Sequence, residues 1–270
     1  MKYDVAIISV TKDKIDPECL SSIKQLLERT QLKVKFVLVD NNSKIFDPYA
    51  LARTHLPEAA VILRDKNYGF GRSCNLGAAE VEADYYFFLN PDTVVSDPLI
   101  IDHLYEFMTA CPTCGIVAPQ VRYPDGRFQE TCRRFPKWYS PLIQRTSFLP
   151  ERISAGHRRK FLMEDYQHKK YRMIDWAQGS ALMIDGKLFH ELGGFDKRFF
   201  MYYEDVDLCR RCWQKKRPVY YLPDVYLVHA YGKGSAVVGG LWKGLIKNSM
   251  ARAHIVSWLK YSLKWMGKKI

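Results

Sequence analysis

Phe36-Val37-Leu38-Val39-Asp40-Asn41-Asn42-Ser43 passes from an unbroken apolar run into four polar residues, and Tyr85-Tyr86-Phe87-Phe88-Leu89-Asn90-Pro91-Asp92-Thr93 repeats the pattern. Short aromatic and β-branched runs that stop at turn-forming residues read as buried strands. Tyr3–Val10, Ala60–Leu63, Gly115–Val121, Gly179–Ile184 and Val225–Val228 read the same way. Helical spacing predicts helices over about 16–29, 72–82 and 98–110, another running to Lys215, and one or two from Leu241 onward. Strand and helix alternate. The expectation is an α/β chain with a mostly parallel sheet covered on both faces and a ligand crevice at the carboxyl ends of its strands. Both polar turns lie at such ends, although Asp, Asn, Pro and Ser also serve as ordinary turn and cap residues.

The composition fits a globular body. Apolar residues make up 47% and charged residues 26% of the 270, which argues against a disordered or fibrous chain. No apolar run approaches the roughly 20 residues of a spanning helix, so the expected address is the cytoplasm. Seven cysteines, an odd number, suit a reducing compartment better than a disulfide framework. Of two Cys-x-x-Cys pairs that invite a zinc or redox reading, Cys209 with Cys212 lies on an expected helix, where the thiols share one face as small core hydrophobes, and Cys111 with Cys114 lacks a thioredoxin-like placement after the opening strand. Net charge is +12, and its excess is local. After Asp224 there is no acidic residue, while Lys233, Lys243, Lys247, Arg252, Lys260, Lys264, Lys268 and Lys269 add eight positive charges. The remaining body is nearly balanced, which disfavours a nucleic-acid partner and favours one anionic neighbour of the tail, such as a membrane face.

Three further segments carry chemistry. Asn67-Tyr68-Gly69-Phe70-Gly71-Arg72-Ser73-Cys74-Asn75 is a glycine-containing loop that opens a helix, where backbone donors suit a phosphate or ribose. It is not the dinucleotide fingerprint, because the third glycine position holds Cys74. Gly193-Gly194-Phe195-Asp196 leads through an aromatic run into Tyr203-Glu204-Asp205-Val206-Asp207-Leu208-Cys209, where several carboxylates start a helix. The helix dipole favours acids there, and Asp207 is spaced to pair with Arg211. Trp176-Ala177-Gln178-Gly179-Ser180 precedes the 181–184 strand.

Taken in order, these segments resemble the family 2 glycosyltransferases of the GT-A fold, and most of all the bacterial rhamnosyltransferase-like branch that builds O-antigen and other surface polysaccharides. The resemblance covers most of the chain. It implies a GT-A-like, Rossmann-like mixed sheet flanked by helices, with a nucleotide-binding half over 1–121, an acceptor and catalytic half over 122–240, and a basic amphipathic helical tail over 241–270. It also implies an inverting transferase that moves a sugar from a nucleotide-sugar donor to a hydroxyl of a saccharide or lipid-linked acceptor. Rhamnose from deoxythymidine diphosphate-rhamnose is the first donor, and a UDP-sugar the alternative.

Carried onto this sequence, the resemblance places Asp40, Asn42, Asn67, Gly69, Asn75 and Asn90 on the donor. The family's metal motif is Asp-x-Asp, but Asn90 holds its first position here, leaving Asp92 as the main ligand for Mg2+ or Mn2+. His229 is its candidate companion. Asp205 is the implied general base, with Glu204 and Asp207 as fallbacks, since an acceptor hydroxyl must lose its proton to attack. Trp176 and Gln178 are assigned to the acceptor side, and Arg133 and Arg134 to a phosphate. A metal-dependent nucleotidyltransferase would share the crevice and cation, and a basic nucleic-acid-binding protein is the non-enzymatic alternative. The tail either lies on an anionic membrane, at the inner face of the cell membrane, or packs on the domain. The stretch 136–172 shows no legible periodicity and is expected to form a mobile acceptor loop.

Overall fold

The computed structural model describes residues 1–140, 143, 151–230 and 248–268. Its strands are β1 (Tyr3–Thr11), β2 (Val34–Asp40), β3 (Ala60–Leu63), β4 (Ala83–Leu89), β5 (Thr93–Val94), β6 (Ile116–Arg122), β7 (Cys132–Arg133), β8 (Arg172–Ile174), β9 (Trp176–Ala177), β10 (Ala181–Asp185) and β11 (Val219–His229). Its helices are α1 (Pro17–Arg29), α2 (Pro48–His55), α3 (Phe70–Ala79), α4 (Ile100–Ala110), α5 (Glu151–Phe161), α6 (Gly186–Glu191), α7 (Glu204–Gln214) and α8 (Ser249–Trp265).

Among the described residues nine strands form one sheet in the order β3-β2-β1-β4-β10-β6-β11-β5, with β8 added on β11, while β7 and β9 pair separately. Strands β3, β2, β1, β4, β6 and β11 run one way, and β10, β5 and β8 run against them. The mixed, mostly parallel sheet flanked by helices is therefore present. Alternate residues feed two cores, as the two-residue period of a strand requires. Ile7, Leu38 and Phe87 pack on one face with Leu20 and Ile23 of α1 and Leu104 of α4. Ile8, Val39 and Phe88 pack on the other with Cys74 of α3, Phe189, Phe195 and Cys209 of α7. The thiols of both Cys-x-x-Cys pairs are free, and Cys114, Cys209 and Cys212 are buried.

Several boundaries differ from the sequence expectation for local reasons. Helix α3 starts at Phe70, not Arg72, because Gly69 turns the chain at φ 89° and Phe70 N–H donates to Phe200 O. A Cβ on Gly69 would meet that same oxygen at 2.0 Å, so only glycine fits. Strand β11 begins at Val219, well before Val225, because Pro223-Asp224 forms an irregularity within the strand and not a turn. Within 136–172, helix α5 stands where a loop was expected, and turns and bends follow it over 162–171.

The tail also resolves into packing. Asp207 of α7 is fully buried and bonds Arg211 at 2.8 Å, Lys264 at 2.6 Å and the Trp265 indole at 2.8 Å. Arg210 reaches the Tyr261 hydroxyl at 3.1 Å, and Ser257 donates to Met201 O at 2.8 Å. One face of α8 is thus fastened to α7 and to the residue Met201 ahead of it by largely buried polar contacts. The 240/241 boundary, Leu241, Trp242, Lys233, Lys243, Lys247 and Lys269 lie outside the described residues.

Candidate active site

The carboxyl ends of β1, β4 and β11 meet at a cleft of about 470 Å³. Strand β5 holds one end of it together by pairing Thr93 against His229 of β11, while Ala230 N–H donates to Asp92 O. Asp92 Oδ1 consequently lies 3.0 Å from His229 Nε2, and Asp92 Oδ2 lies 3.0 Å from the Lys14 ammonium. Gln129 Nε2 donates to His229 O at 2.7 Å, which turns Gln129 Oε1 toward His229 Nδ1 at 3.1 Å. Nδ1 must then be the donor. With Nδ1 donating to Gln129, the contact with Asp92 places a proton on Nε2 as well, and a cation bound between Nε2 and Asp92 would take that proton's place. Burial pushes the Asp92 carboxyl up, but His229 and Lys14 outweigh it and hold it below the usual range. These two side chains fit a divalent cation as a partial ligand set. No group of three or more His, Cys, Asp or Glu placed to hold a metal ion occurs among the described residues. The rest of a coordination shell would come from substrate oxygens and water, as Mg2+ commonly arranges.

The opposite wall is the start of α7. Tyr202 and Tyr203 take left-handed φ values of 67° and 68°, two non-glycine residues in succession, and so aim Glu204 and Asp205 at the cleft. Such strain collects at functional sites. Asp205 Oδ2 accepts from Gly179 N–H at 2.9 Å and Oδ1 from Val206 N–H at 2.8 Å. Burial raises its pKa despite those bonds and the pull of Arg133. Glu204 is raised further, first by burial and then by the Asp205 charge, and its Oε2 finds no hydrogen-bond partner. The pair is proton-avid, which is what a general base operating near neutrality requires.

Arg133 bridges the walls. Its guanidinium stands 3.4 Å from Gln178 Oε1 and 5.1 Å from the Trp176 ring, and all three line the cleft. Arg134 does not. Arg134, one residue past the end of β7, pairs with Asp175 at 3.1 Å outside the cleft lining. Of the two arginines expected there, Arg133 lines the cleft and Arg134 does not.

The donor candidates divide. Asn90 lines the cleft. Asp40 sits at the same sheet edge, in register with Thr11, but it is buried, and its carboxylate accepts from Ser43 N–H and the Ser43 hydroxyl outside the cleft lining. Asn42 donates to Asp65 O, and Asn67 accepts from Gly69 N–H at 2.9 Å. Asn75 is taken up wholly by Phe195, bonding its N–H at 2.7 Å and its O at 2.8 Å. It positions the Gly193-Gly194 turn instead of meeting a ligand, and a Cβ on Gly194 would strike it at 2.4 Å. Asp207 is excluded as a fallback base, since its contacts with α8 bury it away from the cleft.

Sequence reasoning missed Lys12, Lys14, Met250 and His254, which all line the cleft. The lysines follow the carboxyl end of β1, so the crevice rule pointed to them. No local signal marks Met250 or His254, because α8 reaches the site only through its packing on α7.

Residues 6–169 match the profile of Glycosyl transferase family 2. The chain belongs to that family. It is 29% identical over 213 residues to N-acetylglucosaminyl-diphospho-decaprenol L-rhamnosyltransferase of Mycobacterium tuberculosis, a match covering 74% of this chain and 67% of the relative. It is 25% identical over 176 residues to rhamnosyltransferase WbbL of Escherichia coli K12, covering 60% and 61%. Among solved structures it superposes on mannosyltransferase PcManGT of Pyrobaculum calidifontis in complex with GDP-Man and Mn2+ with a TM-score of 0.57 at 14% identity, covering 100% and 77% of the two chains. With residues 1–349 of S. aureus TarS the TM-score is 0.54 at 13% identity, covering 84% of this chain and 60% of the other. These likenesses confirm the GT-A-like fold of a family 2 glycosyltransferase. Among the described residues no helix is long and apolar enough to cross a membrane.

Proposed function

We propose that this glycosyltransferase moves a sugar from a nucleotide-sugar donor to an acceptor hydroxyl with inversion, in the assembly of a cell-surface polysaccharide. The observation that carries it is the facing of Asp92 with His229 at one end of a cleft and the proton-avid Asp205 on another wall of the same cleft. Lys12, Lys14 and Arg133 place positive charge around the space where a diphosphate would leave. Asp92 and His229 would hold Mg2+ or Mn2+, which when bound supplies a positive charge that stabilises the departing nucleoside diphosphate. Asp205, held by Gly179 and Val206, takes the proton of the acceptor hydroxyl as it attacks the anomeric carbon from the face opposite the leaving group. Gln178 and Trp176 line the acceptor space, and α8 adds Met250 and His254 to it.

Rhamnose is the first donor sugar and a saccharide or lipid-linked molecule the acceptor, on the strength of relatives named as rhamnosyltransferases, one with a decaprenol-linked acceptor in its name. Asp40, Asn42, Asn67 and Gly69 are assigned to the nucleoside side of the sheet edge, which they share with the cleft. A catalytic body over 1–240 and a tail over 241–270 remain the proposed division. The test is incubation with deoxythymidine diphosphate-rhamnose and with UDP-sugars, each with lipid-linked acceptor. Nucleoside diphosphate release that requires acceptor supports the reading; pyrophosphate exchange in its place identifies a nucleotidyltransferase and refutes it.

A further inference from the structure

Helix α8 has a second face that its packing leaves open. Ala251, Ser257, Tyr261 and Trp265 are buried against the domain. Val256, Leu259, Leu263 and Met266 follow one another by three, four and three residues and therefore share one stripe. Leu263 is 71% and Met266 70% exposed, and Val256 and Leu259 are each half-exposed. Scattered apolar side chains on a surface need no explanation, but a continuous stripe along a helix does. Arg252 and Lys260 are exposed on the same side, and no acidic residue occurs anywhere after Asp224. Trp138, largely exposed, borders the helix where its carbonyl accepts from the Trp258 indole at 3.0 Å. An apolar stripe beside cations, on a helix without a carboxylate and with indoles at its margin, has the chemistry of a helix lying in the headgroup layer of an anionic bilayer.

We infer that the outer face of α8 docks this enzyme on an anionic lipid surface while its inner face stays fastened to α7. Packing on the domain and contact with lipid are thus two sides of one helix, not alternatives. The same helix lines the cleft through Met250 and His254, so the bilayer lies within about one helix diameter, ~10 Å, of the cleft wall. This deepens the lipid-linked part of the proposed function, on which its biological sense rests, because an acceptor tethered in the membrane then reaches Asp205 without leaving it.

The test is co-sedimentation of the full chain with phosphatidylcholine vesicles, with and without phosphatidylglycerol, in the absence of any substrate. Binding that requires phosphatidylglycerol, weakens in high salt, and falls at least tenfold in Leu259→Glu/Leu263→Glu is expected. Both positions are exposed, so the variant should keep the wild-type melting temperature. Vesicle binding that is absent in the wild type, or unchanged in the double variant, overturns the inference. A concentration-dependent dimer abolished by the same substitutions, without vesicle binding, also overturns it and makes the stripe a contact between copies. Stabilisation by deoxythymidine diphosphate-rhamnose is measured separately. Its absence would count against the proposed function and leave the vesicle result standing.

Discussion

Replacing Asp205 by Asn tests the proposed chemistry with little disturbance of the fold. The amide oxygen can still accept from Gly179 N–H or Val206 N–H, the two bonds that hold the carboxylate at 2.9 and 2.8 Å. What disappears is the proton acceptor. General-base assistance contributes roughly 10²–10⁴ in rate, which at about 1.36 kcal/mol per decade corresponds to about 2.7–5.5 kcal/mol of transition-state stabilisation. Stability should move the other way. Burial raises the folded pKa of Asp205 above its unfolded value. The stability this residue contributes is therefore complete below the ordinary carboxylate range, near ~4, and is lost as pH rises through the folded value. Asn suffers no such loss, so at pH 7 the variant should be at least as stable as the wild type, with the two curves converging near pH 4. Acceptor-dependent nucleoside diphosphate release gives kcat, and urea unfolding at both pH values gives stability. A stable, donor-binding variant that keeps kcat within threefold of wild type would refute the base assignment. A variant clearly less stable at pH 7 would refute the electrostatic reasoning behind it.

The remaining expectations follow from the same geometry. Arg133→Ala should raise KM or lower kcat by roughly tenfold to a hundredfold, the value of a charged hydrogen bond of about 1.5–3 kcal/mol. It should also move the acidic limb of the pH–rate profile upward, because Arg133 pulls the Asp205 pKa down; Arg134→Ala, paired only at the surface, should do neither. His229→Ala should abolish the thermal stabilisation conferred by Mn2+ on the wild type, and chelation should depress wild-type turnover reversibly. Asp207→Ala leaves Arg211 without its buried counter-charge, while Lys264 keeps Asp196, and should cost about 3–5 kcal/mol in urea unfolding. Gly69→Ala, strained at φ 89° and blocked by Phe200 O, should lower Tm, with a backbone penalty of about 1–3 kcal/mol before the clash is counted.

Phe36–Ser43 and Tyr85–Thr93 announced their strands and the polar edge beyond them because periodicity and turn chemistry are local properties. Asp92, His229, Asp205, Trp176 and Gln178 were named from the sequence, and they do share one cleft or its lining. The misreadings were of side-chain direction and engagement. Asn75 looks like a ligand residue until Phe195, 120 positions later, occupies its amide. Arg134 and Arg133 are adjacent in the sequence, yet Arg133 meets Gln178 and Trp176 in the cleft while Arg134 pairs with Asp175 outside it. Pro223-Asp224 has turn composition but sits inside β11, where pairing with β6 overrides local preference.

Local order therefore settled the α/β class, the carboxyl-edge crevice and the residue types available for chemistry, because each depends on neighbours a few positions apart. Tertiary structure alone decided which carboxylate faces the cleft, which arginine reaches it, and that a distant helix completes its wall. Those outcomes depend on which segments exclude water from one another. Asp205 and Asp207 lie two residues apart on one helix, whose step of about 100° per residue turns them to opposite sides, and tertiary packing decides what each side meets: α8 buries Asp207 as an anchor and Asp205 is left at the cleft.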